Sequence, residues 1–193
     1  MIGVLALQGA FLEHQRMLKK CNVGSIQIRK PDEIENIDGL IIPGGESTTI
    51  TKLLVEYGLD KAILEKTAQG MPVFGTCAGL IVMAKNVANN NQFSLGLMDI
   101  NVQRNGFGRQ VDSFETDLPV DVLGSTPFPA VFIRAPFVES VKPNVRILAE
   151  YDKKIVMVRQ GNLLAAAFHP ELTDDLRIHL YFCQMVEDAK SAT

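Results

Sequence analysis

The segment Phe74-Gly75-Thr76-Cys77-Ala78-Gly79-Leu80-Ile81 sets one cysteine between two near glycines, where an apolar strand meets an apolar helix. Gly75 and Gly79 leave room for a tight strand-to-helix turn. The residue at the apex of such a turn adopts strained backbone and projects its side chain above the sheet edge. Cys77 then stands at a helix N-terminus, where unpaired amides and the positive end of the helix dipole favour an anion, and a thiolate is the form that attacks carbon. The same pattern also suits a small cysteine packed in a glycine-rich turn. On either reading a strand runs directly into a helix, the unit of an α/β fold.

The rest of the chain repeats that alternation. Residues 2–7 are a continuous apolar run ending at Gln8-Gly9, after which Phe11, His14, Met17, Leu18 and Cys21 recur at helical spacing. Residues 25–28 and 39–42 read as strands, the second stopping at Pro43-Gly44-Gly45, with a connection over 31–37 between them. Two helices are predicted over 48–57 and 61–68, parted by Gly58, with Ser47 or Thr48 as N-cap. Residues 72–74 form the strand that feeds the Cys77 elbow, and 78–85 the helix after it. Several strands are apolar on both faces, which points to a mostly parallel sheet covered on two sides. Beyond a polar loop at 86–92 come short strand-like runs at 99–103, 131–133, 146–150, 155–159 and 163–168, some of them antiparallel. A final helix over 176–189 carries a stripe of Leu176, Leu180, Cys183 and Val186, flanked by Tyr181, Phe182, Met185 and Ala189. No repeat or linker divides the chain, so residues 1–193 read as a single domain, long enough to bury a core without staples.

Charge and cysteine usage narrow the function. With 19 Lys+Arg against 22 Asp+Glu the net charge is -3, and no basic stripe tracks a phosphate backbone, so nucleic acid is not an expected partner. Cys21, Cys77 and Cys183 are odd in number and far apart, with neither a Cys-x-x-Cys pair nor a histidine cluster for a metal. They read as reduced thiols in a cytoplasmic protein. Residues 2–7 are too short for a signal-peptide core, and no stretch approaches membrane-spanning length.

A thiol that attacks an acyl carbon benefits from an imidazole to hold its proton and later deliver it to the leaving group. Of three histidines, His14 and His179 fall inside helical patterns and read as packing or surface residues. His169 follows an apolar strand, at the edge where open α/β sheets build their sites. Two residues on, Glu171 can accept a hydrogen bond from that ring and orient it. The loop Pro43-Gly44-Gly45-Glu46-Ser47 lacks the Gly-Lys-[Ser/Thr] ending of a phosphate loop. It is either an ordinary glycine turn and cap, or a backbone that approaches a ligand and sets the amide of Gly45 beside that of Ala78 to stabilise an oxyanion.

Taken together, the Gly-x-Cys-x-Gly elbow, the early Pro-Gly-Gly loop and the late His169-Pro170-Glu171 resemble the class I (triad) glutamine amidotransferases. More closely, the chain is similar to the glutaminase subunits of two-component pyridoxal 5′-phosphate synthases. That resemblance runs essentially end to end. It includes Leu7-Gln8-Gly9, Gly44-Gly45-Glu46-Ser47-Thr48-Thr49, Arg104-Asn105, Phe107-Gly108-Arg109-Gln110, Phe132-Ile133-Arg134-Ala135-Pro136 and Phe168-His169-Pro170-Glu171-Leu172-Thr173.

The resemblance implies a three-layer α/β/α, flavodoxin-like fold. It implies a hydrolase that converts L-glutamine to L-glutamate and ammonia, with Cys77 as nucleophile, His169 as acid/base and Glu171 as its partner. Gly45 and Ala78 would supply the oxyanion amides, and Gly45, Glu46, Ser47, Arg104, Ile133 and Arg134 would hold glutamine. Free glutamine carries an ammonium and a carboxylate, so a pocket selective for it needs a charge such as Glu46 and a donor such as Arg104. From the residues alone, Glu46 is equally a helix N-terminal acid, and Arg104 and Arg134 are equally solvated charges. No cofactor is implied. The implied partner is a synthase subunit that condenses the ammonia with ribose 5-phosphate and glyceraldehyde 3-phosphate, and that activates the glutaminase by ordering the region of Gly45 and Gln8. Three other readings stand beside this one. One is a DJ-1-like redox protein, which would want a glutamate where Gln8 stands; the others are a hydrolase of peptides or γ-glutamyl conjugates and a silent binding subunit.

Overall fold

In a strand, successive side chains face opposite ways, and the central strands of this chain use both faces. Leu40 and Ile42 join one apolar cluster while Ile41 joins the other; Val73 and Phe74 divide in the same way, as do Leu163 and Ala165 against Leu164 and Ala166. A sheet with two buried faces needs a layer on each side. The computed structural model, which describes residues 1–89, 91–107 and 112–192, has that architecture: a single α/β domain whose central sheet is parallel in one half and largely antiparallel in the other.

In chain order the elements are β1 (Ile2–Leu5), α1 (Phe11–Lys20), β2 (Ser25–Ile28), β3 (Gly39–Ile42), α2 (Ser47–Glu56), α3 (Leu59–Ala68), β4 (Val73–Thr76), α4 (Ala78–Met83), β5 (Ala84–Val87) and β6 (Met98–Gln103). Then follow β7 (Ser113–Leu118), β8 (Phe128–Ile133), β9 (Phe137–Val141), β10 (Arg146–Tyr151), β11 (Lys154–Gln160), β12 (Leu163–Ala166) and α5 (Arg177–Ser191). The sheet order is β2-β1-β3-β4-β12-β11-β9-β6-β5, with β10 paired to β11 and a separate β7-β8 ribbon. Pairing is parallel from β2 through to β12 and at β5-β6, and antiparallel around β9, β10 and β11.

Helices α2, α3 and α4 pack on one face through Ile50, Leu54, Leu59, Ile63 and Leu80; α1, α5 and the ribbon cover the other through Leu18, Ile178, Phe182, Phe128 and Phe132. Each such fully buried side chain contributes about 1.5–3 kcal/mol of transfer free energy. In the ribbon, Phe114 and Phe132 stack at 4.7 Å beside Phe107 and Tyr151, which holds the end of β8 over the sheet.

Several local expectations shift. The helix after the elbow stops at Met83 because Ala84–Val87 leaves to pair with β6. The cap of α2 is Glu46, whose carboxylate accepts from the amides of Thr48 and Thr49, rather than Ser47 or Thr48. In α5 the buried stripe is Ile178, His179, Phe182, Met185 and Val186, while Leu180 is 47% exposed. The strands β7 and β9 were not expected: β7 alternates Ser113, Glu115 and Asp117 outward and so carries little apolar signal. No helix among the described residues is long and apolar enough to cross a membrane.

Candidate active site

Three adjacent parallel strands, β3, β4 and β12, end at one edge of the sheet. The register Ile42↔Gly75 and Ala166↔Thr76 brings the Pro43-Gly44-Gly45 loop, Cys77 and His169 side by side. Cys77 has φ 50° and ψ -103°, the strained apex expected of the elbow. Its amide donates to the Ala166 carbonyl at 2.8 Å, tying the turn to β12. The flanking glycines are sterically required, since a Cβ on Gly75 would lie 2.6 Å from the backbone of Gly79 and from the Met83 sulfur.

The cysteine and histidine meet over Gly44. A Cβ built on that glycine would stand 2.5 Å from His169 Cε1 and 3.3 Å from Cys77 Cβ, so both side chains converge on one point. The Cys77 sulfhydryl donates to the Ile133 carbonyl oxygen at 3.8 Å. His169 Nδ1 donates to Glu171 Oε1 at 2.7 Å, which leaves Nε2 for the sulfur. All three are buried, Cys77 at 8%, His169 at 8% and Glu171 at 5% exposure. Burial by itself disfavours the His169 cation, yet the interactions with Cys77 and Glu171 outweigh it and raise the pKa to about 10. Burial likewise opposes the Glu171 anion, and the neighbouring His14 and His169 overcome it, so its pKa is lowered. An imidazole and carboxylate paired in this way beside a buried sulfur can act as acid and base for a nucleophile.

A cavity of about 630 Å³ opens above these groups. Gly45, Glu46, Ser47, Cys77, Ala78, Arg104, Ile133, Arg134 and His169 all line it, while Glu171 sits behind the histidine. Arg104 Nη2 pairs with Glu46 Oε1 at 3.5 Å. Burial would push the Glu46 carboxyl up, but the hydroxyls and amides of Thr48 and Thr49 bring it down to about 2. The cavity therefore presents a fixed anion and a guanidinium on its outer side and the Cys77 sulfur with the His169 ring on its inner side. Gly108, Arg109 and Gln110 lie outside the described residues.

Gln92, His14 and His179 were not legible from the chain as parts of the site, whereas Gln8 was grouped with the Gly45 loop but without its partner. Gln92, in the stretch expected to be a solvated loop, accepts from Arg104 Nη1 at 3.2 Å and from Ser47 Oγ at 3.3 Å, joining two cavity residues. Gln8 accepts from the Glu46 amide at 2.7 Å, so it clasps the glycine loop instead of facing the thiol. His14 and His179, expected to be packing or surface residues, are wholly buried and lie behind Glu171. Only an asparagine-rich context and two helical positions marked these residues, and neither names a partner. Among the described residues no cluster of His, Cys, Asp or Glu is arranged to hold a metal ion.

The model of the SNO glutamine amidotransferase family matches residues 4–188. The chain belongs to that family. A relative from Desulforamulus reducens, described as pyridoxal 5′-phosphate synthase subunit PdxT, is 58% identical over 186 residues, covering 96% of this chain and 99% of that one. A protein of the same description from Thermotoga petrophila is 50% identical over 96% of this chain and 99% of its own length. Among solved structures, one titled a glutamine amidotransferase superposes with a TM-score of 0.92 at 46% identity, covering 96% of this chain and 98% of that one. A chain of PurLQS from Thermotoga maritima shares the fold at a TM-score of 0.64 and 15% identity, over 97% of this chain and 95% of that one.

Proposed function

We propose that this chain, acting over residues 1–193 as one glutaminase unit, hydrolyses the side-chain amide of L-glutamine through a thioester on Cys77. The ammonia passes to a synthase subunit that makes pyridoxal 5′-phosphate. The observation that carries the chemistry is the convergence of Cys77, His169 and Glu171 at the inner end of one cavity. The family and its relatives, described as pyridoxal 5′-phosphate synthase subunits, support glutamine as substrate and pyridoxal 5′-phosphate synthesis as the destination.

In the forward reaction the sulfur adds to the amide carbon and the carbonyl oxygen becomes an oxyanion, toward which the amides of Gly45 and Ala78 are the donors. His169 gives its proton to the amide nitrogen, the C–N bond breaks, ammonia leaves and a γ-glutamyl thioester remains. Water then adds to that carbon, His169 takes its proton, and the C–S bond breaks to release glutamate, leaving the freed sulfur beside a protonated His169, the pair that began the cycle. Glu171 keeps the ring oriented and balances its charge throughout. The Glu46–Arg104 pair on the outer wall matches a zwitterion. The substrate ammonium faces the carboxylate, the substrate carboxylate faces the guanidinium, and Ser47, Ile133 and Arg134 complete the wall. A synthase partner that orders the loop of Gly45 would complete the oxyanion site.

Glutamate release from glutamine, assayed with and without the synthase subunit, tests this reading. The wild-type chain is expected to turn over faster with the partner, and Cys77→Ala to release nothing while still forming the complex. Substantial turnover by Cys77→Ala would remove the assigned nucleophile, and equal rates with and without the partner would remove the activation.

A further inference from the structure

Three histidines exist in the chain, and all three lie in one buried line that runs through Glu171. His169 occupies Glu171 Oε1. The other carboxylate oxygen, Oε2, is buried and makes no hydrogen bond among the described residues; His14 Nε2 stands 3.5 Å from it and 3.1 Å from Thr76 Oγ1. His14 Nδ1 lies 2.9 Å from His179 Nε2. His14, His179 and Thr76 are at 0% exposure, and the edge of Phe74 closes the space around both rings.

The contacts assign the protons. With a hydrogen on His14 Nε2, that N–H faces the carboxylate and the threonine oxygen, and Nδ1 accepts from His179 Nε2–H. With the opposite tautomer, a lone pair on Nε2 would face an anion, and His179 would carry a buried N–H at Nδ1, where no partner exists among the described residues. A buried orphan N–H is the costlier defect. The first arrangement aligns both ring dipoles with their positive ends toward Glu171. Burial lowers the pKa of His14 despite the attraction of Glu171 and Glu13, aided by the charge on His169, and lowers that of His179 to about 3, so both rings are neutral.

We propose that His14 is a positioning residue of the glutaminase site. Its Nε2–H, shared with Thr76 Oγ1 and backed by His179, sets a positive dipole end 3.5 Å from the inner oxygen of the Glu171 carboxylate and so keeps the outer oxygen aimed at His169. The proposal rests on the reading of Cys77, His169 and Glu171 as the glutaminase triad. A carboxylate free to rotate between two acceptors would misorient the ring it serves, and outer partners of this kind affect activity on the order of tenfold or more.

The test has two parts. Glutamate release is measured with the synthase subunit present for wild type, His14→Phe and His14→Gln. Phenylalanine removes the donor, and the glutamine amide can place an N–H near the position of Nε2. The expected result is a fall in kcat on the order of tenfold or more for His14→Phe with KM within about twofold, most of which His14→Gln recovers. Unchanged kcat in His14→Phe, a parallel rise in KM, or equal losses in both variants would overturn the proposal. Nitrogen-15 NMR of histidine-labelled wild type needs no variant to fold. His14 and His179 neutral with the proton on Nε2 is the expected spectrum, and an imidazolium or an Nδ1–H tautomer at His14 would overturn it. A wild type that releases no glutamate would instead sink the glutaminase reading, while the tautomer spectrum would still report on the buried line.

Discussion

The inner and outer walls of the cavity are built on opposite physical terms. Cys77, His169 and Glu171 are at most 8% exposed and interlocked by strand ends, whereas Ile133 is 38% exposed and the side chains of Glu46 and Arg134 are 47% and 76% exposed. Buried groups act on one another through a poorly screening medium and need no rearrangement when charge develops. Exposed charges are damped by water and salt within about 8–10 Å, which suits groups that must admit and release a hydrated zwitterion. On the proposed glutaminase reading, this contrast predicts that the inner wall sets rate and the outer one affinity.

The largest effect expected is on the inner wall. His169→Asn and Glu171→Gln should each lower kcat for glutamate release on the order of a thousandfold or more with KM changed only a few-fold; a loss confined to KM would erase the division. Next comes Arg104→Ala, which should raise KM on the order of tenfold or more with kcat within a few-fold. A collapse of kcat there would mean that the outer wall also sets the geometry of the reaction.

A smaller effect concerns stability against pH. His14 and His179 have folded pKa values below the unfolded 6.5, so the unfolded chain takes up protons that the folded chain refuses. Stability therefore falls as pH drops below 6.5, by up to about 1.4 kcal/mol per pH unit for each ring. His169, raised to about 10, acts in the other direction: its contribution is complete below 6.5 and is lost as pH rises toward 10. Urea midpoints measured from pH 6.5 down to 5 should decline less steeply for His179→Phe than for wild type, and parallel slopes would show that this ring is not held neutral. Smallest of all, Arg134→Ala should leave stability within about 0.5 kcal/mol, because its ion pair with Asp112 at 3.9 Å is exposed. A Tm drop of many degrees would show that this position supports the fold.

Legibility followed the range of the forces involved. The elbow was readable because Gly75 and Gly79 collide with nearby backbone if either gains a Cβ, and the Gly75 clash involves only Gly79 and Met83 of the helix that follows. His169 and Glu171 were readable because a carboxylate two residues away meets its imidazole without help from the rest of the chain. The end of α4 was misjudged because Ala84 and Lys85 continue a helical pattern, and only the availability of β6 turns them into a strand. Gln92 was hidden because its partners, Arg104 and Ser47, come from another strand end and another helix.

By itself the chain determined its alternating strands and helices, the two-faced apolar strands, the strained cysteine and the motifs that mark the family, since periodicity and steric exclusion act between neighbours in sequence. Tertiary structure alone decided that Glu46 faces Arg104, and that Glu171 stands between His169 and His14. Those arrangements depend on strand order and register, which bring together side chains that no local pattern connects.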